Sequence, residues 1–132
     1  MTSLDIVIGA LTAWRENRGG GVIGMQSVIN VLVNRALKRR TSVYHECVRP
    51  YQFSSMTAHA DPELVLFPAD NDEPFKTALA LMDMASQGKL GDVTGGATFY
   101  YAVSIATPPA WAKSMQQTEI IAGQIFFREV SV

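Results

Sequence analysis

The chain has 132 residues, 48% of them hydrophobic and 17% charged, with a formal net charge of −1. A chain of this length buries a core unaided, and its composition excludes a disordered or fibrous protein. A single cysteine, Cys47, excludes an internal disulfide and any zinc site built on cysteine pairs. The near-neutral balance argues against a nucleic-acid binder that works by bulk charge, so no nucleic-acid partner is expected. The charge is unevenly spread, however. Residues 1–49 carry seven basic side chains against three acidic ones, and residues 50–132 carry four against nine. Lys38, Arg39 and Arg40 make up much of the basic half, and they stand where a helix C-terminus favours cations.

Residues 4–16 are expected to be helical, with Ser3 as N-cap and Ile6, Ala10, Ala13 and Trp14 at helical spacing. The apolar stretch Ile6–Trp14 lacks a basic leader, follows Asp5 and meets no small-residue cleavage site before Glu16. It is therefore read as a helix and not as a signal peptide. No other apolar run approaches the ~20 residues that span a bilayer, so membrane insertion is not expected. Gly19-Gly20-Gly21 stop the first helix in a tight loop. A second helix runs from about Ile23 to Lys38 and buries Met25, Ile29, Leu32, Val33 and Ala36. The two form a helical hairpin whose short loop is rigid enough to place chemistry.

From Thr41 to Pro74 the pattern is irregular, punctuated by Pro50, Pro62 and Pro68, with one aromatic-polar knot at Tyr51-Gln52-Phe53-Ser54-Ser55. A third helix starts near Pro74 and closes on a Gly88 cap. Ala97–Val103 reads as a strand, and Ile120–Val130 as another, interrupted at Gly123. Without internal repeats or linkers, this is one α+β domain over residues 1–132, helices first and a small sheet late.

Glu16 is the first candidate for chemistry. It ends an apolar helix beside Trp14 and directly precedes the glycine loop. Apolar surroundings disfavour ionisation of a carboxylic acid, and an acid in such a place can protonate a glycosidic oxygen near neutral pH. The same position also suits a solvated surface glutamate. Glu46, Asp61 and Asp92 are possible second acids, each reading equally well as a loop or turn residue. His45-x-Cys47 and His59-x-Asp61 supply ligand types without zinc spacing, so neither metal nor cofactor is expected.

Four blocks carry a resemblance. The stretch from Ala10 through Trp14-Arg15-Glu16-Asn17-Arg18-Gly19 and Gly24-Met25-Gln26 to Asn34-Arg35 resembles the opening of the spore-cortex-lytic (SleB-like) cell-wall hydrolase family. In that family a helix ends in a Gly-Glu-Ala-Arg-Gly-type stretch, followed by Gly-Gln and an apolar helix closing on Asn-Arg. Val48–Ser54 is similar to the family's Val-x-x-x-x-Gln-Phe-Ser element, Asp92–Tyr100 to its Asp-Pro-Thr-x-Gly-Ala element, and Thr118–Phe127 to its Thr-x-x-Ile-Gly-x-His-x-Phe-Tyr element. The order is preserved over about residues 10–127.

The resemblance implies a lysozyme-like fold, mainly helical with a small late antiparallel sheet, that cleaves peptidoglycan between N-acetylmuramic acid and N-acetylglucosamine. Glu16 falls on the family's catalytic acid. Many members are lytic transglycosylases, in which one glutamic acid suffices and a 1,6-anhydro end is formed. Ordinary hydrolysis usually wants a second carboxylate, and the Glu-Asp-Thr order of phage lysozymes is not met here. A hydrolytic muramidase is the alternative, and a non-catalytic wall-binding module of the same fold is the rival from another class.

Substrate contacts are expected from Gln26, Gln52, Phe53, Ser54, Thr94, Tyr100, Tyr101, Thr118 and Gln124. Gln26 is read either as a holder of the carboxyl or an acetamido group or as a helix-capping amide. Tyr100 and Tyr101 alternate faces on a strand, with Tyr101 taken as the one facing the cleft. Asn34 and Arg35 are read as loop braces. The chain departs from the family at Arg15, where glycine is usual, at Asn17 for alanine, at Val93 for proline and at Gln124 for histidine. A bare catalytic domain of this kind resembles a phage endolysin, a monomer held in the host cytoplasm until a holin pore admits it to the wall.

Overall fold

The computed structural model describes residues 1–130. Five helices lead: α1 (Ser3–Asn17), α2 (Gly21–Arg39), α3 (Val43–Val48), α4 (Ser54–Thr57) and α5 (Glu73–Ser86). Three strands follow, β1 (Phe99–Ala102), β2 (Met115–Ile121) and β3 (Gln124–Glu129), in the order β1-β3-β2 and antiparallel throughout.

The first helix is capped by Thr2, not by Ser3. The Thr2 hydroxyl accepts from the Asp5 amide while the Asp5 carboxylate accepts from the Thr2 amide, a reciprocal box that places Ser3 inside the helix. The glycine loop is shorter than expected: Arg18–Gly20 form one 3-10 turn and Gly21 already begins α2. The irregular stretch from Thr41 to Pro74 holds two short helices, α3 capped by Ser42 and α4, and a 3-10 turn at Pro62–Val65 capped by Asp61. Asp72 caps α5, with Pro74 in its first turn. The Gly88 ending is as read: at φ +69°, Gly88 donates to the Ala85 carbonyl and Lys89 to the Met84 carbonyl.

Ile120–Val130 is not one interrupted strand but the end of β2, a turn and β3. Ala122 and Gly123 both have positive φ, 46° and 81°, the pattern of a two-residue hairpin turn matched to strand twist. One register shift between Gln117 and Ile120 puts a bulge at Thr118, whose hydroxyl donates to the Phe126 carbonyl.

The main core lies between α1, α2 and α5, with Ala10, Ala13, Met25, Ile29, Leu32, Ala78 and Met82 fully enclosed and Cys47 and Phe53 at its edge. A smaller core of Val31, Ala97 and Phe126 joins α2 to the sheet, and Tyr100 packs against both. On the other sheet face Phe99, Tyr101 and Phe127 gather around Trp111 with centroids 5.1–5.9 Å apart. Among the described residues, no helix is long and apolar enough to cross a membrane.

Candidate active site

Glu16 occupies the last turn of α1, half-buried. The β2–β3 turn closes onto this helix end, where Asn17 Nδ2 donates to the Ala122 carbonyl at 3.3 Å. Gly20 makes that approach possible, since a Cβ there would stand 2.7 Å from Asn17 Oδ1 and 2.8 Å from Ala122 Cβ.

Two hydroxyls meet the Glu16 carboxyl. Ser55 Oγ donates to Oε2 at 2.6 Å and the Tyr100 hydroxyl donates to Oε1 at 2.5 Å, from positions 39 and 84 residues away in the chain. Ser55 is buried on α4. Tyr100 stands on β1 directly opposite Phe126, with its ring 5.3 Å from that ring and 6.5 Å from Phe53. Burial, then the neighbouring Glu16 carboxyl, pushes the Tyr100 phenol well above its ordinary value, so it remains a donor at any working pH. A carboxyl engaged at both oxygens is held in one orientation, from which it can give or take a single proton.

Arginines fasten the surroundings. Arg18 pairs with Glu63 through both terminal guanidinium nitrogens and lies 4.0 Å from the centre of the Trp14 ring, while Trp14 Nε1 donates to Asp72 at 3.0 Å. Arg15 donates to the carbonyls of Ser55 and Leu66. Behind Tyr100, Arg35 is only 3% exposed; its Nε donates to the Thr98 carbonyl and its guanidinium lies over Phe53 and Phe99. Burial pushes it down to about 10, which leaves it cationic at neutral pH.

Of the residues expected to touch substrate, only Tyr100 reaches Glu16 directly. The alternation of the two tyrosines is as read, but the faces are reversed: Tyr101 stacks on Phe127 at 5.5 Å, on the sheet face away from Tyr100. Ser54, expected to touch substrate, donates to Asp61, while its neighbour Ser55, for which no role was expected, donates to Glu16. Gln26 neither holds the carboxyl nor caps a helix; its amide donates to the Gly91 carbonyl at 3.0 Å. Thr94 is fully buried, bonded to Asp92 and to the Ala97 amide, and so has no surface to offer a sugar. Phe53 is a core residue beside Tyr100. Thr118 serves the bulge. Gln52 is half-buried, and Gln124, on the Phe126 side of β3, keeps a buried Oε1 without a partner among the described residues. Asn34 and Arg35 do brace loops, Asn34 through Asp92 and the Ala97 carbonyl.

The other acids are committed elsewhere. Glu46 is fully buried, with Arg39, Arg49 and Thr41 on its oxygens. Asp61 caps a turn and accepts from Ser54, and Asp92 organises the Thr94–Gly96 loop. Burial pushes the Cys47 thiol up to about 12, which leaves it inert. Among the described residues, no three His, Cys, Asp or Glu side chains gather as a metal-binding set.

The sequence profile of the Cell Wall Hydrolase family matches residues 19–127. The chain belongs to the cell wall hydrolase family. The match begins just beyond Glu16. The catalytic domain of the germination-specific lytic transglycosylase SleB from Bacillus anthracis is similar over 97% of each chain, with 25% identity and a TM-score of 0.74. The catalytic domain of the Bacillus cereus SleB protein is similar over 97% of this chain and 92% of its own, with 26% identity and a TM-score of 0.72. Comparison with curated protein sequences returns no match. The SleB-like family and the lysozyme-like α+β fold read from the sequence are thus borne out.

Proposed function

We propose that this wall-cleaving enzyme is a lytic transglycosylase that cuts peptidoglycan between N-acetylmuramic acid and N-acetylglucosamine, with Glu16 as its general acid and base. The observation that carries this reading is the carboxyl of Glu16, held at both oxygens by Ser55 and Tyr100, while Glu46, Asp61 and Asp92 accept hydrogen bonds from other groups. Hydrolysis with two carboxylates needs a second acid as base or nucleophile; the internal route needs one group that changes role. Protonated Glu16 gives its proton to the glycosidic oxygen as the bond to the muramic C1 breaks. The resulting carboxylate takes the proton of the muramic 6-hydroxyl as O6 bonds to C1, which restores the acid and consumes no water. The name of the B. anthracis relative, a lytic transglycosylase, supports the same route.

Mass spectrometry of fragments released from purified peptidoglycan by the native protein and by Glu16→Gln tests it. Anhydro-muramic ends that vanish with the substitution are the expected result. Reducing ends from the native protein would overturn transglycosylation in favour of hydrolysis, and release of fragments by Glu16→Gln would overturn the assignment of the acid. The phage-lysis setting belongs to the same proposal, with expression in a bacterial cytoplasm as its test. Lysis only when a holin is co-expressed supports it; lysis without one overturns it.

A further inference from the structure

We infer that Arg15 is a positioning residue for the acid, acting through Ser55; the inference rests on Glu16 being that acid. Arg15 is only 7% exposed. A buried cation is costly unless it is paired or hydrogen-bonded, yet no carboxylate lies within ion-pair distance of Arg15 among the described residues. Its hydrogen bonds go to main-chain carbonyls instead: Nη1 donates to Ser55 and Nε to Leu66, each at 3.1 Å. Nη1 also stands 3.4 Å from Met56 Sδ, and the guanidinium lies 4.8 Å from the centre of the Phe67 ring. Burial lowers its proton affinity, while the charges of Glu63 and Asp61 oppose that shift.

A charge spent on two carbonyls fixes backbone. The two acceptors lie on either side of the 3-10 turn, so Arg15 draws both parts of this segment against the last turn of α1. Ser55 is where this matters: its carbonyl is held by Arg15, and its hydroxyl donates to the next residue of α1, Glu16. Arg15, Ser55 and Glu16 therefore close a ring across two elements. A four-residue helix such as α4 has little rigidity of its own, so the place of the Ser55 hydroxyl depends on the other bond that Ser55 makes to α1. A lysine would keep the charge but not the two-pronged reach of a guanidinium.

The test is a double-substitution cycle in the full chain, read as kcat and KM on soluble glycan strands together with the melting temperature. Arg15→Met and Ser55→Ala are each expected to lower kcat about tenfold with little change in KM, the cost of one misplaced hydrogen bond to the reacting group. The double variant is expected to fall no further than the weaker single variant, since both remove the same hydroxyl contact. Arg15→Lys, which preserves charge and most of the volume, should be impaired in kcat while melting within a few degrees of the native protein. Additive losses, or an Arg15→Lys protein with native kcat, would overturn the inference and leave Arg15 a structural clamp. An active Glu16→Gln protein in the same assay would instead overturn the assignment of the acid.

Discussion

The two oxygens of Glu16 are held by regions built on different principles. On the Oε1 side Tyr100 belongs to a strand, faces Phe126 in register across the ladder and sits against Phe53, so sheet pairing and packing place its hydroxyl. On the Oε2 side Ser55 belongs to a four-residue helix inside a segment tied to α1 by arginines, Arg15 to carbonyls and Arg18 to Glu63. Packing spreads the placement of a group over many contacts; a few polar bonds are separable, and each one matters to the position it fixes. The strand side is the framework of the site and the segment side is its adjustable half.

The largest expected effect comes from breaking the framework. Phe126→Ala removes a fully buried ring between β3 and α2 and is expected to cost about 3–5 kcal/mol of stability, measured by urea unfolding. Loss of activity should follow, because Tyr100 loses the ring it packs against. Next comes Tyr100→Phe, which keeps the packing and deletes only the hydroxyl. Loss of one hydrogen bond to the reacting carboxyl costs about 1–2 kcal/mol, so a drop in kcat of about tenfold is expected, with a melting temperature within a few degrees of native.

Acid should weaken the ties of the segment side. Burial opposes ionisation of Glu46, but hydrogen bonds from Thr41 and Arg49 and the charges of Arg39 and Arg49 outweigh it and hold the carboxyl below its ordinary value. A folded value below the unfolded one means that the stabilisation is complete above the unfolded value and is lost as pH falls through the folded one. Since Glu46 joins the end of α2 to Arg49, just ahead of α4, melting temperature should decline below about pH 4.5, the ordinary glutamate value. Glu46→Gln should flatten that decline while destabilising the protein at neutral pH. The smallest effect is expected at Gln124, whose buried Oε1 lacks a donor. Gln124→Leu should leave stability unchanged or raise it by about 1 kcal/mol, because an unsatisfied buried acceptor disappears. A clear loss of stability would mean that the amide has a partner.

The sequence by itself determined the elements whose causes are local. The periodic apolar faces of α1 and α2, the proline and glycine that bound α5, and the aromatic run of β1 all follow from spacing and backbone preference within a few residues. The proposed acid, Glu16, stood out in the same way, as a glutamate at a helix end before glycines and within blocks whose order resembles that of a known family. Even Thr2 was within reach, because the capping box with Asp5 is a three-residue signal.

What only the tertiary structure decided is which side chains meet. Ser54 and Ser55 are chemically the same, and only their places on α4, as it docks on α1, set one on Asp61 and the other on Glu16. Tyr100 and Tyr101 must face opposite ways, but the packing of Phe126 against α2 chooses which one faces inward. The β2–β3 turn hid behind a non-glycine residue, Ala122, in a left-handed conformation that its tertiary neighbours hold in place. The partners of Glu16 come from 39 and 84 residues away. Contacts of that separation depend on how whole elements pack, and no local pattern of residues encodes them.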